Sequence, residues 1–247
     1  FHVVESGTVQ HADYQTLYTM TILHIETSVN VCSVALSHNG SCIFDVSNHE
    51  GMNHAAMLSP FVQQAIEKMK ELNLKTDAIA VSAGPGSYTG LRIGVSTAKG
   101  LCYGYNVPLI AVSTLEIMVA EALKTGIQET RALFCPMIDA RRMEVYSAFY
   151  TDKLELKREI SADIITEDSY NNMLEHQPVY FFGNGSAKCK PLLTHPNARF
   201  IDDVEPLAKN MILLAEQKFT ANDFADVAYF EPFYLKEFQT TVSKKLF

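Results

Sequence analysis

The stretch between residues 81 and 94 decides the fold of the N-terminal half, and it reads Val81-Ser82-Ala83-Gly84-Pro85-Gly86-Ser87-Tyr88-Thr89-Gly90-Leu91-Arg92-Ile93-Gly94. An apolar run leads into a turn in which Gly84 and Gly86 can take positive φ, while Pro85 fixes φ between them. Ser87 or Thr89 is a suitable N-cap for a helix that follows. The pattern predicts a buried strand, a tight turn and a helix in direct succession.

The predicted helix carries a stripe of small residues. Gly90, Gly94 and Ala98 are spaced four apart and therefore lie on one helix face. A glycine in a helix interior costs about 1 kcal/mol relative to alanine. Two of them on one face indicate that a phosphate, a backbone segment or another helix packs closely there.

The glycine spacing matches neither of the two standard phosphate-binding motifs. A Walker A loop needs a lysine directly after its second glycine, but Leu91 and Arg92 follow Gly90. A dinucleotide-binding fingerprint needs G-x-G-x-x-G, whereas Gly84, Gly86 and Gly90 are spaced G-x-G-x-x-x-G. A helix N-terminus can still hold an anion, but these residue types favour a tight turn with close helix packing.

Composition limits the class of protein. The chain has 247 residues, 47% of them hydrophobic, with a net charge of −8 and no Lys or Arg before Lys68. An acidic N-terminal half disfavours a protein that binds a nucleic-acid backbone by itself. The five cysteines form no C-x-x-C pair, which favours reduced thiols in the cytoplasm over disulfides or zinc. No apolar run is long enough to span a membrane.

The order of predicted elements describes an α/β protein with two similar halves. Strands and a hairpin turn at Asn39-Gly40 come first, then helices over 54–72 and 88–103 alternate with strands, giving βββ-α-β-α-β-α. The second half repeats the pattern with shorter helices. We therefore predict an N-terminal lobe over residues 20–127, a reduced C-terminal lobe over 128–247, and an N-terminal extension over 1–19, with the functional protein starting at Met20.

Two motifs carry a resemblance to a known family: Gly84 to Gly94, and Asp139-Ala140-Arg141-Arg142-Met143-Glu144-Val145-Tyr146. Together, in this order, they make the chain similar to the bacterial TsaB (YeaZ) family from about Met20 to the tail. The resemblance implies an actin-like (ASKHA, ribonuclease H-like) two-lobed fold with two βββαβα halves. It also implies a role in forming N6-threonylcarbamoyladenosine at position 37 of tRNAs that read ANN codons.

The resemblance also implies partners and a division of labour. The chain would be a non-catalytic subunit that pairs with a TsaD-like catalytic subunit, with a TsaE-like ATPase joining the complex. A separate TsaC-like enzyme would supply threonylcarbamoyl-AMP. It would form a homodimer in isolation and meet tRNA only through the complex, since Lys244-Lys245 is too short for a nucleic-acid patch. No membrane partner, catalytic residue or required cofactor is expected.

We predict a dimer interface on the two N-lobe helices, with the small-residue face meeting a partner helix. On this hypothesis Gly94→Leu abolishes pairing and leaves the monomer folded. The predicted interface residues are His54, Leu58, Phe61, Gly90, Ile93, Gly94, Thr97, Ala98 and Leu101.

Three alternatives stay open: an actin-like ATPase, a metallopeptidase-like enzyme of the glycoprotease type, and a self-sufficient homodimer with some other binding role. In the related catalytic family the first helix carries H-x-x-x-H, two metal ligands one turn apart, but here His54 is followed at that spacing by Leu58. Weak binding of ATP, ADP or Mg²⁺ remains an alternative. Its candidate residues are Glu26, Thr27, Ser28, Gly84, Gly86 and Ser87.

The second motif forms a charged turn. Asp139 is placed to cap it, and Arg141 is placed to pair with Glu144 or another acid. Such a pair on the surface contributes about 0–1 kcal/mol. The resemblance suggests that the turn shapes the lobe junction or a partner contact.

Overall fold

The computed structural model describes residues 19–51, 53–127 and 129–235. Residues 1–18 of the predicted extension and the Lys244-Lys245 pair lie outside the described residues. Within them, two five-stranded sheets follow each other along the chain. The predicted α/β architecture with two similar halves is confirmed.

The first sheet has the strand order β3-β2-β1-β4-β5. Its strands are β1 (Thr21–Glu26), β2 (Cys32–His38), β3 (Ser41–Asn48), β4 (Ala78–Ser82) and β5 (Leu109–Val112). The first three pair antiparallel, whereas β1, β4 and β5 run parallel. Every residue of β1 is buried, because parallel strands need crossover helices that cover both faces of the sheet.

Helices lie on the two faces of this sheet: α1 (His54–Glu71), α2 (Tyr88–Tyr105) and α3 (Thr114–Leu123). α1 and α2 share one face, where Leu23 and Ile25 of β1 enter their core. Ile22 joins α3 on the opposite face, as the period of two along a strand requires. The two predicted N-lobe helices are confirmed within two residues at their ends.

The second sheet repeats the topology of the first, in the order β10-β9-β6-β7-β8. Its strands are β6 (Leu133–Asp139), β7 (Glu144–Tyr150), β8 (Leu156–Ile164), β9 (Val179–Phe182) and β10 (Ala198–Ile201). Its helix α4 (Asn171–Leu174) has only four residues. The prediction of a reduced second half is confirmed, although β10 was not predicted.

The chain returns to the first sheet after β10, which corrects the predicted C-terminal lobe over 128–247. A 3-10 turn (Ala208–Met211) leads into α5 (Ile212–Thr220). Met211 and Leu214 share a core with residues of β1, β4 and β5. These residues complete the layer that covers the first sheet opposite α1 and α2.

Among the described residues, no helix combines the length and apolar character that crossing a membrane requires.

Candidate functional site

The glycine turn has the predicted strand–turn–helix conformation. Gly84 takes φ of +99°, where a residue with a side chain would be strained. Ser87 is the N-cap of α2, and its hydroxyl accepts a hydrogen bond from the Gly90 N–H at 3.2 Å. Of the two predicted caps, the chain therefore uses Ser87. This geometry fixes the start of α2 at the carboxyl edge of the first sheet.

The segment after β1 packs directly into this turn. The Ser87 N–H donates to the Ser28 carbonyl at 2.6 Å, and the Thr27 hydroxyl donates to the Gly90 carbonyl at 2.8 Å. An added Cβ at Gly86 or Gly90 would lie closer than 3.0 Å to a backbone carbonyl oxygen of this segment, and one at Gly94 would lie closer than that to the Thr27 hydroxyl. The small residues therefore make room for the chain's own backbone and for Thr27.

This packing corrects the predicted dimer interface. Gly90, Gly94 and Ala98 are buried inside the monomer, where Ala98 belongs to the core beneath α1 and α2. They support α2 from within and form no surface. Gly94→Leu would therefore disrupt the monomer, contrary to the prediction that it leaves the monomer folded.

The three predicted interface residues of α1 are also covered by their own chain. Leu58 is 1% exposed and Phe61 is 5% exposed, and both belong to the core under the helix. His54 is 6% exposed, and its Nε2 lies 3.2 Å from the Val31 carbonyl. The hydrogen bond of the buried His54 to this carbonyl positions the start of α1. All three side chains therefore pack inside the monomer and are not on the outer face of α1.

The remaining three predicted interface residues face outward in part. Ile93, Thr97 and Leu101 are spaced four apart on α2 and are partly exposed. Ile93 and Leu101 also pack against the core below. They stay candidates for contact with a partner.

The six predicted anion-binding residues lie together, but they pack against one another and leave no space for a ligand between them. Glu26, Thr27 and Ser28 are each 0% exposed. The Ser28 carbonyl and the Ser87 hydroxyl already occupy donors at the start of α2. An anion at this helix N-terminus would have to displace the β1–β2 turn, so the geometry favours packing over ligand binding here.

Glu26 is a fully buried carboxyl group with one oxygen that has no hydrogen-bond partner among the described residues. Its Oε1 accepts a hydrogen bond from the Ser28 N–H at 2.6 Å, while Oε2 and the Ser28 hydroxyl have no hydrogen-bond partner among the described residues. Burial raises the pKa of Glu26 from 4.5 to about 7, against the opposing effect of the hydrogen bonds. The carboxyl group therefore changes its protonation state near neutral pH.

Apolar side chains close the junction between the two lobes beside this turn. Val29 and Val31, which follow Ser28, share a core with Phe134 and Ile138 of β6. A separate cavity of about 380 Å³ opens in the second lobe and is lined by residues such as Leu133 and Met173. None of the predicted site residues lines that cavity.

No group of three or more His, Cys, Asp or Glu side chains able to hold a metal converges in the part of the chain that the structure describes.

The second motif forms the turn between β6 and β7. The predicted cap is confirmed, because the Arg141 N–H donates to Asp139 Oδ1 at 3.1 Å. Arg141 was predicted to pair with Glu144 or another acid, and the contact that the structure gives between Arg141 and Glu144 is a backbone one, in which the Glu144 N–H donates to the Arg141 carbonyl at 3.1 Å. Lys188, which was not among the predicted site residues, forms an ion pair with the carboxylate of Asp139.

Sequence reasoning also missed a C-terminal strap, defined here as residues 228–234. The Phe233 N–H donates to the Ala83 carbonyl at 2.7 Å, and the ring centroids of Tyr234 and Tyr88 are 4.8 Å apart. Lys99 of α2 donates to two strap carbonyls. An aromatic run so far along the chain gives no indication of its target, because the contact depends on the tertiary fold.

Comparisons with known proteins agree with this architecture. The sequence model of the family described as "TsaD: tRNA N6-adenosine threonylcarbamoyltransferase" matches residues 49–243. The "tRNA threonylcarbamoyladenosine biosynthesis protein TsaB" of Escherichia coli (strain K12) is 32% identical over 225 residues, covering 88% of this chain and 95% of that protein. The Bacillus subtilis (strain 168) protein of the same name is 32% identical over 177 residues, covering 70% of this chain and 75% of that protein.

A solved structure titled "YeaZ from Pseudomonas aeruginosa" has the same fold. It superposes with a TM-score of 0.74 at 26% identity, covering 87% of this chain and 100% of that chain. The predicted actin-like, two-lobed α/β fold is therefore confirmed.

Proposed function

Since the chain belongs to the TsaB (YeaZ) family, we propose that it is a non-catalytic subunit of the cytoplasmic machinery that forms N6-threonylcarbamoyladenosine at position 37 of tRNAs reading ANN codons. In this account it binds and activates a TsaD-like catalytic subunit, and a TsaE-like ATPase joins the pair. Alone, it forms a homodimer through the same surface. The tRNA is modified by the catalytic partner.

The observation that carries this proposal is the composition of the outer faces of α1 and α2. Small side chains stand exposed on both helices, among them Ala55, Ala56 and Ser59 on α1 and Ser96 and Gly100 on α2. Gly100 has no atom within 4 Å of an added Cβ. Small residues on a helix surface let a second helix approach closely and interlock with it.

Partly exposed apolar side chains provide the attractive part of this surface. Ile93 and Leu101 on α2 pack against the core with one side and face outward with the other, as does Met57 on α1. Burial of apolar area is worth about 25 cal/mol per Å². In the proposal, these side chains form the centre of the contact and the small residues let the partner reach them.

The surface is also preorganised, which lowers the entropic cost of binding. Thr27 holds the inner face of α2 at Gly90 and Gly94. On its flank, Lys99 ties the helix to the C-terminal strap. A partner would therefore meet a helix that is already fixed at both its buried face and its edge.

Size-exclusion chromatography with a TsaD-like protein tests the proposal. Ser96→Arg and Gly100→Arg add bulk and charge at exposed positions, so we expect normal folding but loss of both the homodimer and the mixed complex. Thr194→Arg, at an exposed position in the second lobe, is the matched control and should pair normally. Unchanged elution of the two α2 variants, alone and with the partner, would contradict the proposed surface.

The rival function is catalytic, as an ATPase, a metallopeptidase-like enzyme or the transferase itself. Its support is the name of the matching family model, which is that of a transferase, and one relative, the "tRNA N6-adenosine threonylcarbamoyltransferase" of Koribacter versatilis (strain Ellin345), which is 33% identical over 128 residues, covering 44% of this chain and 34% of that protein. Titration calorimetry with Mg·ATP and a turnover assay of the isolated chain test it. Turnover by this chain alone would favour the rival.

A further inference from the structure

The turn between β6 and β7 holds two arginines in an uncommon backbone conformation. Arg141 and Arg142 have φ of +69° and +47°, a region that asparagine and glycine adopt more readily than arginine. Both side chains are exposed. Two bulky residues at consecutive left-handed positions bring both guanidinium groups to the tip of one turn, and an uncommon conformation of this kind suggests a functional role.

Neither guanidinium group is used within the described part of the chain. Residues 19–51, 53–127 and 129–235 supply no hydrogen bond or ion pair to the side chain of Arg141 or Arg142. Some other cations of the protein are engaged, since Lys99 bonds strap carbonyls and Arg158 pairs with Asp163. Among the described residues, Arg199 is as unpaired as the two turn arginines and differs from them in its place on a strand. The arginine pair is therefore free to bind an external group.

Asp139, at the start of the turn, is bonded within the chain. Asp139 bonds the Lys188 ammonium group and also accepts from the Arg141 N–H. The same ammonium group donates to the carbonyls of Arg142 and Glu144 at 2.7 Å each. Lys188 therefore fixes the backbone of the turn and pairs with Asp139, so that carboxylate is bonded to a group other than the two guanidinium groups.

We propose that the Arg141–Arg142 turn is a phosphate-binding contact for RNA. Guanidinium groups bind phosphate oxygens in a bidentate manner and remain charged at every physiological pH. In a chain of net charge −8, a polyanion needs a local positive contact to approach. The contact would read the backbone of the RNA and not its bases.

RNA is the partner that these observations favour over an acidic protein surface. The family works on tRNA, so this step rests on the proposed function. The turn also belongs to the second lobe, whereas the proposed protein-binding surface lies on α1 and α2 of the first lobe. A second contact on the other lobe is suited to a large, extended substrate held by the partner.

The test is a binding titration of labelled, unmodified tRNA, read by fluorescence anisotropy between 50 and 200 mM salt. The protein is used both alone and in complex with a TsaD-like subunit. The variant R141E/R142E reverses both charges, and R141K/R142K keeps them. R199E, an exposed arginine on the edge strand β10, is the matched control, and R141N/R142G removes both guanidinium groups while relieving the backbone.

We expect R141E/R142E and R141N/R142G to weaken tRNA binding by about tenfold or more, and to lower the slope of log affinity against log salt by about one to two. R141K/R142K keeps the charge but loses the bidentate geometry, so its affinity should lie between those of the wild type and R141E/R142E, and R199E should bind within about twofold of the wild type. Because R141N/R142G relieves a strained backbone, its thermal midpoint should not fall, which separates lost binding from lost folding.

Two results would overturn the inference. One is tRNA affinity of R141E/R142E within about twofold of R199E. The other is loss of co-elution with the TsaD-like subunit in R141E/R142E, which would make the turn a protein contact. If the wild type itself fails to pair with that subunit, the proposed function fails, and the titration of the chain alone at 50 mM salt decides the inference by the same comparison of R141E/R142E with R199E.

Discussion

A Cβ atom placed on Gly94 would overlap the hydroxyl oxygen of Thr27, at a separation below 3.0 Å. The glycine is thus required by a contact inside the monomer, between α2 and the segment that follows β1. The Thr27 hydroxyl also donates a hydrogen bond to the carbonyl of Gly90, which lies one turn before Gly94 on α2. This contact seats α2 on the sheet and determines which of its faces is left for a partner.

Gly94→Ala should destabilise the protein by about 1–3 kcal/mol, because the added methyl group overpacks a buried site. Gly100→Ala is the matched control on the same helix, where an added Cβ meets no atom within 4 Å. It should stabilise the protein by up to about 1 kcal/mol through helix propensity. Urea unfolding of both variants gives the two values, and equal effects of the same sign would contradict the account of the glycine stripe.

Glu26 should make stability depend on pH. Its pKa is raised from 4.5 to about 7 in the folded protein, so the folded state binds more protons than the unfolded state between these values. The stability contribution of this group is therefore complete below about pH 4.5 and is lost as the pH rises to about 7, a change of about 3 kcal/mol at most.

The variant Glu26→Gln tests this dependence, because it keeps an acceptor for the Ser28 N–H and removes the ionisation. Relative to wild type, it should be more stable at pH 8 than at pH 5 by about 2–3 kcal/mol. Unfolding in urea at the two pH values measures the difference. A wild-type to variant difference that does not change with pH would mean that Glu26 is not titrating in this range.

Lys188→Met should loosen the arginine turn. The ammonium group contacts one carboxylate and two carbonyls, and hydrogen bonds to charged groups contribute about 1.5–3 kcal/mol when they are shielded from water. Asp139 is half exposed, so we expect a loss of about 1–2 kcal/mol and faster amide exchange over residues 139–144.

Lys190→Met is the control for this change, because its partner Asp202 is mostly exposed and the pair lies on the surface. Its loss should be below about 1 kcal/mol. If both lysine variants lose the same stability and show equal exchange over residues 139–144, Lys188 does not fix the turn.

The sequence predicts the elements of the first lobe well, because their signals are local. Alternation and apolar runs mark β1 to β4, and the i, i+3, i+4 spacing of Leu58, Phe61 and Val62 marks α1. The return of α5 to the first sheet and the strand β10 were not predicted. Both are short segments whose position depends on contacts far away in the sequence.

In the candidate site, too, local features could be predicted from the sequence, whereas contacts between distant residues could not. The small-residue stripe correctly indicates close packing, but the identity of the neighbour cannot be read from spacing. A partner helix and the Thr27 segment satisfy the same pattern, and only the tertiary structure distinguishes them. Lys188 lies 49 positions beyond Asp139, so no local pattern connects the two.

The most direct test of the central claim is reconstituted tRNA modification. Unmodified tRNA is incubated with TsaC-, TsaD- and TsaE-like proteins, ATP, threonine and bicarbonate, with and without this chain, and N6-threonylcarbamoyladenosine is measured by mass spectrometry of the digested tRNA. The account predicts that modification requires this chain and is lost with Gly100→Arg but kept with Thr194→Arg. Equal modification in the absence of the chain would contradict it.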